Sequence, residues 1–165
     1  MSANLDLVRS IYADWERGDF SRADWADPEI EWVSADGPDP GRWLGLAGVA
    51  QVNRDFLSAW RDWRVSAEQM RELDEERILV LTRRAGKGKV SGLAFGGPAA
   101  NVLHMRDGRV VRLVFYWERD RALADLGLAS GSETAKPWVL RRQVRHEARE
   151  GCYRLPALTA TGRRE

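Results

Sequence analysis

The sequence predicts an α+β fold in which helices cover a strongly bent antiparallel sheet and close a small, largely apolar pocket. Apolar residues recur every three to four positions in two segments before Arg64, which is the period of an amphipathic helix. After Arg64 they alternate as in strands, and Asp107-Gly108 between the last two apolar runs is a strong hairpin signal. We assign this fold to residues 1–128 and treat residues 129–165 as a C-terminal extension.

Four helices are predicted, and three of them precede the long strands. Leu5, Val8, Tyr12 and Trp15 form the apolar stripe of the first helix, and Gly18 supplies its C-terminal stop. The second helix is short, because a capping arrangement and an Asp-Pro break enclose only five residues. The third helix carries an apolar stripe at steps of three and four residues. These two helices are expected over residues 22–26, capped by Ser21 and Asp24, and over residues 46–60.

The strands are bounded by turn residues. Residues 36–41, DGPDPG, must form a loop because two prolines and two glycines cannot pair in a sheet. Glycine groups at 86–88 and 96–98 bracket a short strand; the GKGK run there lacks phosphate-loop spacing and indicates a flexible hairpin. Asp120 is placed to cap a last short helix that ends at Gly127. The predicted strands are 29–35, 64–73, 77–84, 89–95, 101–105 and 110–117.

The last predicted strand is apolar on both faces. A strand with one solvent-exposed face would alternate apolar and polar residues more regularly. Both faces are therefore expected to be covered, one by the helices and the other by a second subunit. We therefore predict a homodimer that forms through the sheet. One face carries Val111, Leu113, Phe115 and Trp117, and the other carries Val110, Val114 and Tyr116.

Composition narrows the class of protein. A chain of 165 residues fits one domain, and its single cysteine, Cys152, allows no intrachain disulfide and suggests no thiolate metal site. No apolar run approaches the roughly 20 residues that cross a bilayer, and the start lacks a signal-type apolar stretch. We expect a cytoplasmic protein without a membrane partner, metal or cofactor. Eight tryptophans indicate a large core or a ligand surface.

Charge is distributed unevenly. Residues 129–165 carry eight basic and four acidic side chains, a charge of +4, which leaves −3 for residues 1–128 out of the total of +1. We therefore do not expect the acidic body to bind nucleic acid, since proteins that bind nucleic acid present a clustered basic face. The extension has a linker-like start and one possible basic helix over residues 138–150. It is interpreted as a solvated appendage, a segment that wraps a second subunit, or a binder of acidic surfaces.

The order of elements resembles the nuclear transport factor 2-like fold, specifically its SnoaL-like branch. The likeness is carried by IYADWERGDF, DPEIEWV, WLGLAGVAQVNRDFLSAW and HMRDGRVVRLVFYWERDRALADLGL, which lie between Ile11 and Leu128. It implies a cone-shaped α+β barrel, usually dimeric, whose pocket hosts polyketide cyclases, ketosteroid isomerases, epoxide hydrolases and members without known activity. None of these segments is a catalytic signature.

The resemblance transfers few functional residues. A ketosteroid isomerase needs a helix-one tyrosine, a carboxylate base and a second, protonated carboxylate. The tyrosine position falls on Ile11, one residue from Tyr12. The base position falls near Val33 and the second carboxylate position near Asn101, so the base is missing. A limonene-type epoxide hydrolase needs Asp-Arg-Asp, and the strand that offers Arg84 has no aspartate. A cyclase would use a pocket aspartate or histidine.

His104 is the one histidine of residues 1–128, and its ordinary pKa suits proton transfer. A strict two-residue hairpin places it on the face of Leu113 and Trp117, whereas superposition on the isomerase pattern places Asn101, Leu103 and Met105 there instead. Both alternatives stay open at this point. A dimer-interface or hydrogen-bonded role for His104 is the competing interpretation.

The sequence therefore predicts a SnoaL-like pocket protein that binds or converts a small hydrophobic or aromatic metabolite, by general acid/base cyclisation or isomerisation if it is an enzyme. The alternative is a non-catalytic, dimeric ligand-binding or interaction module. His104, Asn101, Tyr12 and Arg84 are the candidate catalytic residues, and Arg84 is either a clamp for a carboxylate or phenolate or a solvated rim residue. The candidate pocket residues, which alternatively pack as ordinary core, are Trp15, Glu31, Trp32, Phe56, Trp60, Thr82, Leu113, Phe115 and Trp117.

Overall fold

The computed structural model describes residues 2–129. The helix expected over residues 138–150 lies outside the described residues. Three helices and six strands form the described part, which confirms the α+β class. In chain order the elements are α1 (Ala3–Glu16), β1 (Ala26–Ser34), β2 (Gly41–Leu44), α2 (Gly45–Ser58), β3 (Trp60–Glu72), β4 (Arg77–Gly88), β5 (Ala94–Arg106), β6 (Arg109–Tyr116) and α3 (Arg119–Asp125).

All six strands belong to one sheet, in the order β2-β1-β6-β5-β4-β3. Neighbours are antiparallel except for β1 and β6, which pair in parallel. The pairing of β3 with β4 shifts register at residues 61–64 and again at residues 67–69. Such irregularities bend a strand and increase its twist, so they curve the long β3–β4 hairpin toward the helices.

The apolar stripe of α1 forms the centre of the main core. Ser2 caps this helix by accepting a hydrogen bond from the N–H of Leu5, and Gly18, at φ +82°, follows the helix end. The stripe buries Val8 and Ile11 against the inner face of the sheet, where Leu103 and other strand residues are fully buried. Each such apolar side chain contributes roughly 1.5–3 kcal/mol by leaving water.

A smaller core covers part of the outer face of the sheet. Ala122 of α3 is fully buried there with Val102, Val114 and Tyr116. Helix α3 of the same chain therefore shields apolar residues of β6 that were expected to be covered by a second subunit. No helix within residues 2–129 has the length and apolar character needed to cross a membrane.

The homodimer stays a prediction. We expect light scattering at micromolar concentration to give twice the chain mass of 18.7 kDa, because α3 covers only part of the outer face and leaves Val33, Leu73 and Leu81 there only partly buried. A monomeric mass under these conditions would contradict it.

The short helix expected over residues 22–26 is wrong. Ser21 does not cap it, because its own N–H and hydroxyl both donate to the carboxylate of Asp19. Asp24 instead pairs with Arg22 at 2.8 Å, and β1 begins at Ala26. Pro28 is tolerated inside β1 because the pairing with β6 is interrupted between residues 26 and 31.

The separate strand expected over residues 89–95 is also wrong. β4 and β5 run through both glycine groups and pair as far as Lys87 with Ala94. Gly86 lies so close to Trp63 that a Cβ would be 2.6 Å from its ring, and a Cβ on Gly96 would be 2.5 Å from the carbonyl oxygen of Arg84. These glycines allow close approach inside one long hairpin rather than ending strands.

Two smaller differences concern element ends. Asp120 lies in the first turn of α3, whose N-cap is Glu118 without a side-chain cap bond. Trp60 begins β3 rather than ending α2, and β2 was not predicted.

Candidate functional site

A β-bulge decides which side chains of the last hairpin face inward. Asp107 and Gly108 form the turn with φ values of 50° and 71°, as the sequence predicts. Met105 pairs with Val110 but His104 pairs with Arg112, so one extra residue of β6 is accommodated between them. Asn101, Leu103 and Met105 consequently share the inner face with Leu113 and Phe115, and His104 is on the outer face.

The inner side of the sheet encloses a cavity of about 660 Å³. Its wall combines residues of α1, α2, β1, β2 and β3 with the end of β6 and the loops that precede β1 and β2. Six of the chain's eight tryptophans line it, together with three phenylalanines. The aromatic lining residues are Trp15, Phe20, Trp32, Trp43, Phe56, Trp60, Trp63, Phe115 and Trp117.

The lining rings touch one another. Phe56 contacts Trp63 edge to face with centroids 4.9 Å apart, and Trp60 lies 4.9 Å from Trp63. Trp117 extends this contact network, since its ring is 6.1 Å from that of Phe56 and 5.9 Å from that of Phe115. Such pairs contribute about 0.5–1.5 kcal/mol each beyond area burial. The cavity wall is therefore itself packed.

The cavity has few polar groups. Gln51 and Asp55 of α2 face each other across one helical turn, and the Gln51 amide donates to both carboxylate oxygens at 3.0 Å. Ser34 donates its hydroxyl proton to the carbonyl oxygen of Asp36. The remaining polar lining residues are Asn53 and Asp39. This lining suits an apolar ligand held by a few oriented polar contacts.

All six expected pocket aromatics lie in the wall, but the three other expected pocket residues do not. Glu31 forms ion pairs with Arg42 and, at 3.4 Å, with Arg112. Leu113 is fully buried in the core, and Thr82 is fully buried outside the lining. The expected residues that line the cavity are Trp15, Trp32, Phe56, Trp60, Phe115 and Trp117.

Sequence reasoning missed Trp43 and Trp63 as pocket residues. Trp43 is on β2, a four-residue strand that carries no periodic signal of its own. Trp63 continues the apolar spacing of α2 in the sequence but belongs to β3. The abundance of tryptophan was the available signal that more of them would line a ligand surface.

Four polar side chains follow one another along the inner face of β4, β5 and α1, behind the cavity wall. We call Tyr12, Asn101, Thr82 and Arg84 the inner polar row. The Asn101 amide donates to the Tyr12 hydroxyl at 2.5 Å, and both residues are almost wholly buried. Burial raises the pKa of Tyr12, while the hydrogen bond from Asn101 acts in the opposite direction.

The inner polar row has unused hydrogen-bonding capacity. Asn101 Oδ1, Thr82 Oγ1, and Nε and Nη1 of Arg84 have no partner within the described part of the chain. Exchanging the oxygen and nitrogen of the Asn101 amide would still leave one amide atom unpaired. Such groups cost about 1–3 kcal/mol each, more when charged, so their presence is typical of a site rather than a core.

Arg84 is buried, which excludes the solvated rim position. Its residue surface is 4% exposed, and Nη2 donates to the carbonyl oxygen of Trp117 at 2.8 Å. The guanidinium carbon lies 4.2 Å from the Trp117 ring centroid, 5.6 Å from that of Phe115 and 5.7 Å from that of Phe95. Burial lowers the pKa of Arg84 to about 10, and the charge of Asp36 partly opposes this.

His104 lies away from the cavity, beside a small surface depression formed with residues 74–77. Partial burial lowers its pKa, and the positive charges of Arg112 and Arg77 lower it further, whereas Asp74 and Glu31 act in the opposite direction. The structure therefore brings Tyr12 and Asn101 together but does not bring His104 to them.

Replacing His104 by glutamine should remove part of the acid sensitivity of the fold. Because the folded-state pKa lies below the ordinary value of 6.5, the unfolded chain binds the proton more readily. The wild type therefore has its full stability above about pH 6.5 and loses some as the pH falls through the folded-state pKa. Urea midpoints at mildly acidic and neutral pH measure this loss. An equal loss in His104→Gln would contradict it; His146→Gln, outside the described residues, is the control.

An α+β domain in which a bent sheet surrounds an aromatic cavity is typical of small proteins that have a ligand pocket. The sequence pattern of the SnoaL-like domain family matches residues 8–113, and the chain belongs to this family. The resemblance noted from the sequence is thereby confirmed. No curated protein sequence matches the chain.

Solved structures share the fold at low identity. An NTF2-like protein of unknown function from Burkholderia pseudomallei is 23% identical, with a TM-score of 0.63 over 75% of this chain and 97% of its own. TerC, crystallised with polyporic acid, is 21% identical, with a TM-score of 0.61 over 76% and 98%. A putative SnoaL-like polyketide cyclase from Jannaschia is 13% identical, with a TM-score of 0.60 over 79% and 94%. At these identities the likeness shows the fold alone.

Proposed function

We propose that the protein binds a planar hydrophobic or aromatic metabolite in the cavity. The observation that carries this proposal is the wall of nine aromatic side chains around about 660 Å³. That volume falls within the roughly 300–1,000 Å³ of small-molecule sites. Flat rings gain dispersion and desolvation energy by stacking on aromatic walls, so a planar ligand uses this surface best.

The cavity is too large to be an ordinary packing defect. Protein cores are close-packed, and their voids rarely exceed a water molecule. The likeness to TerC, which was crystallised with polyporic acid, supports a planar ligand, as does the description of another relative as a polyketide cyclase.

Binding is tested by filling the cavity from α2. Val52 lines it, whereas Ala50 on the same helix is exposed and outside the lining. Calorimetric titration with menadione, a neutral planar quinone, is expected to give saturable binding to the wild type and to Ala50→Trp. Val52→Trp should weaken binding about tenfold or more, because the indole takes the ligand's volume. No saturable binding to the wild type, or equal binding to both variants, would contradict the proposal.

A second candidate is catalysis of enolisation, in which Tyr12, held by Asn101, donates a hydrogen bond to the enolate oxygen and a buffer base or hydroxide from solvent removes the α-proton. The Tyr12 hydroxyl accepts a hydrogen bond from Asn101 and keeps its own proton as a donor for an oxyanion. Both side chains lie behind the wall, with the Tyr12 ring packed edge to face against Trp15 at 5.0 Å. This placement is the reason that binding without turnover is the leading candidate.

Proton exchange at the α-carbon of tetralone in D2O distinguishes the two candidates. If the pair is catalytic, the wild type accelerates exchange over buffer and Tyr12→Phe loses that acceleration. Exchange at the buffer rate in a protein that binds menadione supports the binding module.

A further inference from the structure

Arg84 is a buried cation without a carboxylate partner. Asp36 is the acidic group whose charge acts on it, but the Asp36 oxygens accept the backbone N–H groups of Trp117 and Glu118. Two of the guanidinium nitrogens have no acceptor among residues 2–129. A buried charge that is neither paired nor fully hydrogen-bonded is unfavourable for folding, so its presence calls for a further partner.

The aromatic rings around Arg84 offset only part of this cost. Trp117, Phe115 and Phe95 lie within cation–π distance of the guanidinium. These contacts stabilise the positive charge but leave its N–H donors unsatisfied. An apolar side chain of similar size would pack in the same place without that cost.

The positive charge of Arg84 lies next to the cavity wall. Trp117 and Phe115 both line the cavity, and the guanidinium lies against these rings. The positive charge is therefore one ring behind the wall, in an environment where electrostatic attraction is stronger than in water. A ligand that stacks on Trp117 or Phe115 has this charge on the far side of the ring.

The acidic lining residues do not cancel this field. Asp39 and Asp55 are exposed, so solvent and salt screen them. Arg84 is 4% exposed and is screened far less. The buried charges behind the inner end of the cavity are Arg84 and Asp36, and they differ in how fully they are satisfied. The Asp36 carboxylate accepts two backbone N–H groups, whereas two guanidinium nitrogens of Arg84 have no acceptor among residues 2–129, so an anion in the cavity is attracted to Arg84.

We propose that the ligand of this cavity is a planar anion, such as an ionised hydroxyquinone or phenol, and that Arg84 supplies the balancing charge. This inference rests on the proposed binding function. An anionic oxygen spread over a flat ring stacks on the aromatic wall and is attracted through it by the guanidinium. The other interpretation of Arg84 is a brace that only holds the Trp117 carbonyl.

Two probes of the same shape separate these interpretations. Lawsone is a hydroxynaphthoquinone that is ionised at neutral pH, and lawsone methyl ether has the same rings without the charge. We expect the full-length wild type to bind lawsone about tenfold more tightly than the ether in calorimetric titration at low salt. Arg84→Met, which keeps an unbranched apolar stem, should bind the two equally. Arg84→Gln, polar and neutral, provides a second test if the methionine variant does not fold.

Arg83→Met is the matched control, because Arg83 is the adjacent residue of β4 but is exposed and pairs with Glu68. It should keep the preference for lawsone. Equal binding of lawsone and its ether by the wild type overturns the inference while leaving the proposed binding function intact. A preference that survives in Arg84→Met or Arg84→Gln also overturns it. Binding of neither probe, nor of menadione, overturns the proposed function itself.

Discussion

Replacing Gly37 by alanine is expected to destabilise the protein by about 3 kcal/mol and to weaken ligand binding in the cavity. Gly37 has φ +92°, a conformation that disfavours any side chain. A Cβ there would also lie 2.3 Å from Cδ1 of Trp117, inside the van der Waals limit. Trp117 must then move, and with it the wall that faces Phe56 and Arg84. Urea unfolding and menadione titration measure the two effects.

Gly108 provides the control for backbone strain. It also has a positive φ, 71°, but nothing lies within 4 Å of where its Cβ would be. Gly108→Ala should therefore cost only about 1 kcal/mol and leave menadione binding unchanged. The difference between the two variants isolates the contact with Trp117. Equal losses of stability with unchanged binding in both would show that the close approach of Gly37 does not position the wall.

The helices and long strands were predictable because their signals are local. The stripe of α1 specifies both a helix and the face that it buries, since residues at steps of three and four meet on one side. In β4 the two-residue period likewise places Thr82 and Arg84 on the same face as Val80. The pairing of β1 with β6 in parallel joins strands far apart in sequence, and neither strand encodes its distant neighbour.

The roles of Gly86 and Gly96 were predicted wrongly because glycine occurs both in turns and where another group lies close to the backbone. Gly86 and Gly96 were expected to end strands, as glycine does in turns. In the structure they let the ring of Trp63 and the carbonyl of Arg84 approach the backbone. Only the three-dimensional neighbours of a glycine distinguish a turn from a close contact, so the sequence left this difference open.

The aromatic composition of the cavity wall was predictable, but which polar residues lie behind that wall was not. Aromatic residues at helical and strand spacing predicted an apolar pocket with Trp15 and Trp117 in its wall. The inner polar row depends instead on the bulge in β6, which turns Asn101 inward and His104 outward. A one-residue change of register moves every side chain to the other face, so pattern alone left His104 and Asn101 as equal candidates.

Replacing Tyr12 alone should destabilise the fold more than replacing both Tyr12 and Asn101. Tyr12→Phe leaves the Asn101 amide with no partner in the described core, at a cost of about 2–3 kcal/mol. Asn101→Leu leaves only the Tyr12 hydroxyl unpaired, so its cost should be about 1–2 kcal/mol. Phenylalanine and leucine together replace both polar groups by apolar ones of similar shape. The double variant should therefore be more stable than Tyr12→Phe, with a coupling energy of about 2 kcal/mol.

Urea unfolding of the two single variants and the double variant measures this coupling. Additive losses, with the double variant the least stable, would contradict the expected effect and identify the pair as independent packing residues. A double variant that regains stability but loses proton exchange on tetralone would mean that the pair is retained for chemistry at a cost to the fold. Regained stability in a protein whose wild type shows no exchange would instead leave the aromatic cavity, with Arg84 behind its wall, as the functional part of the domain.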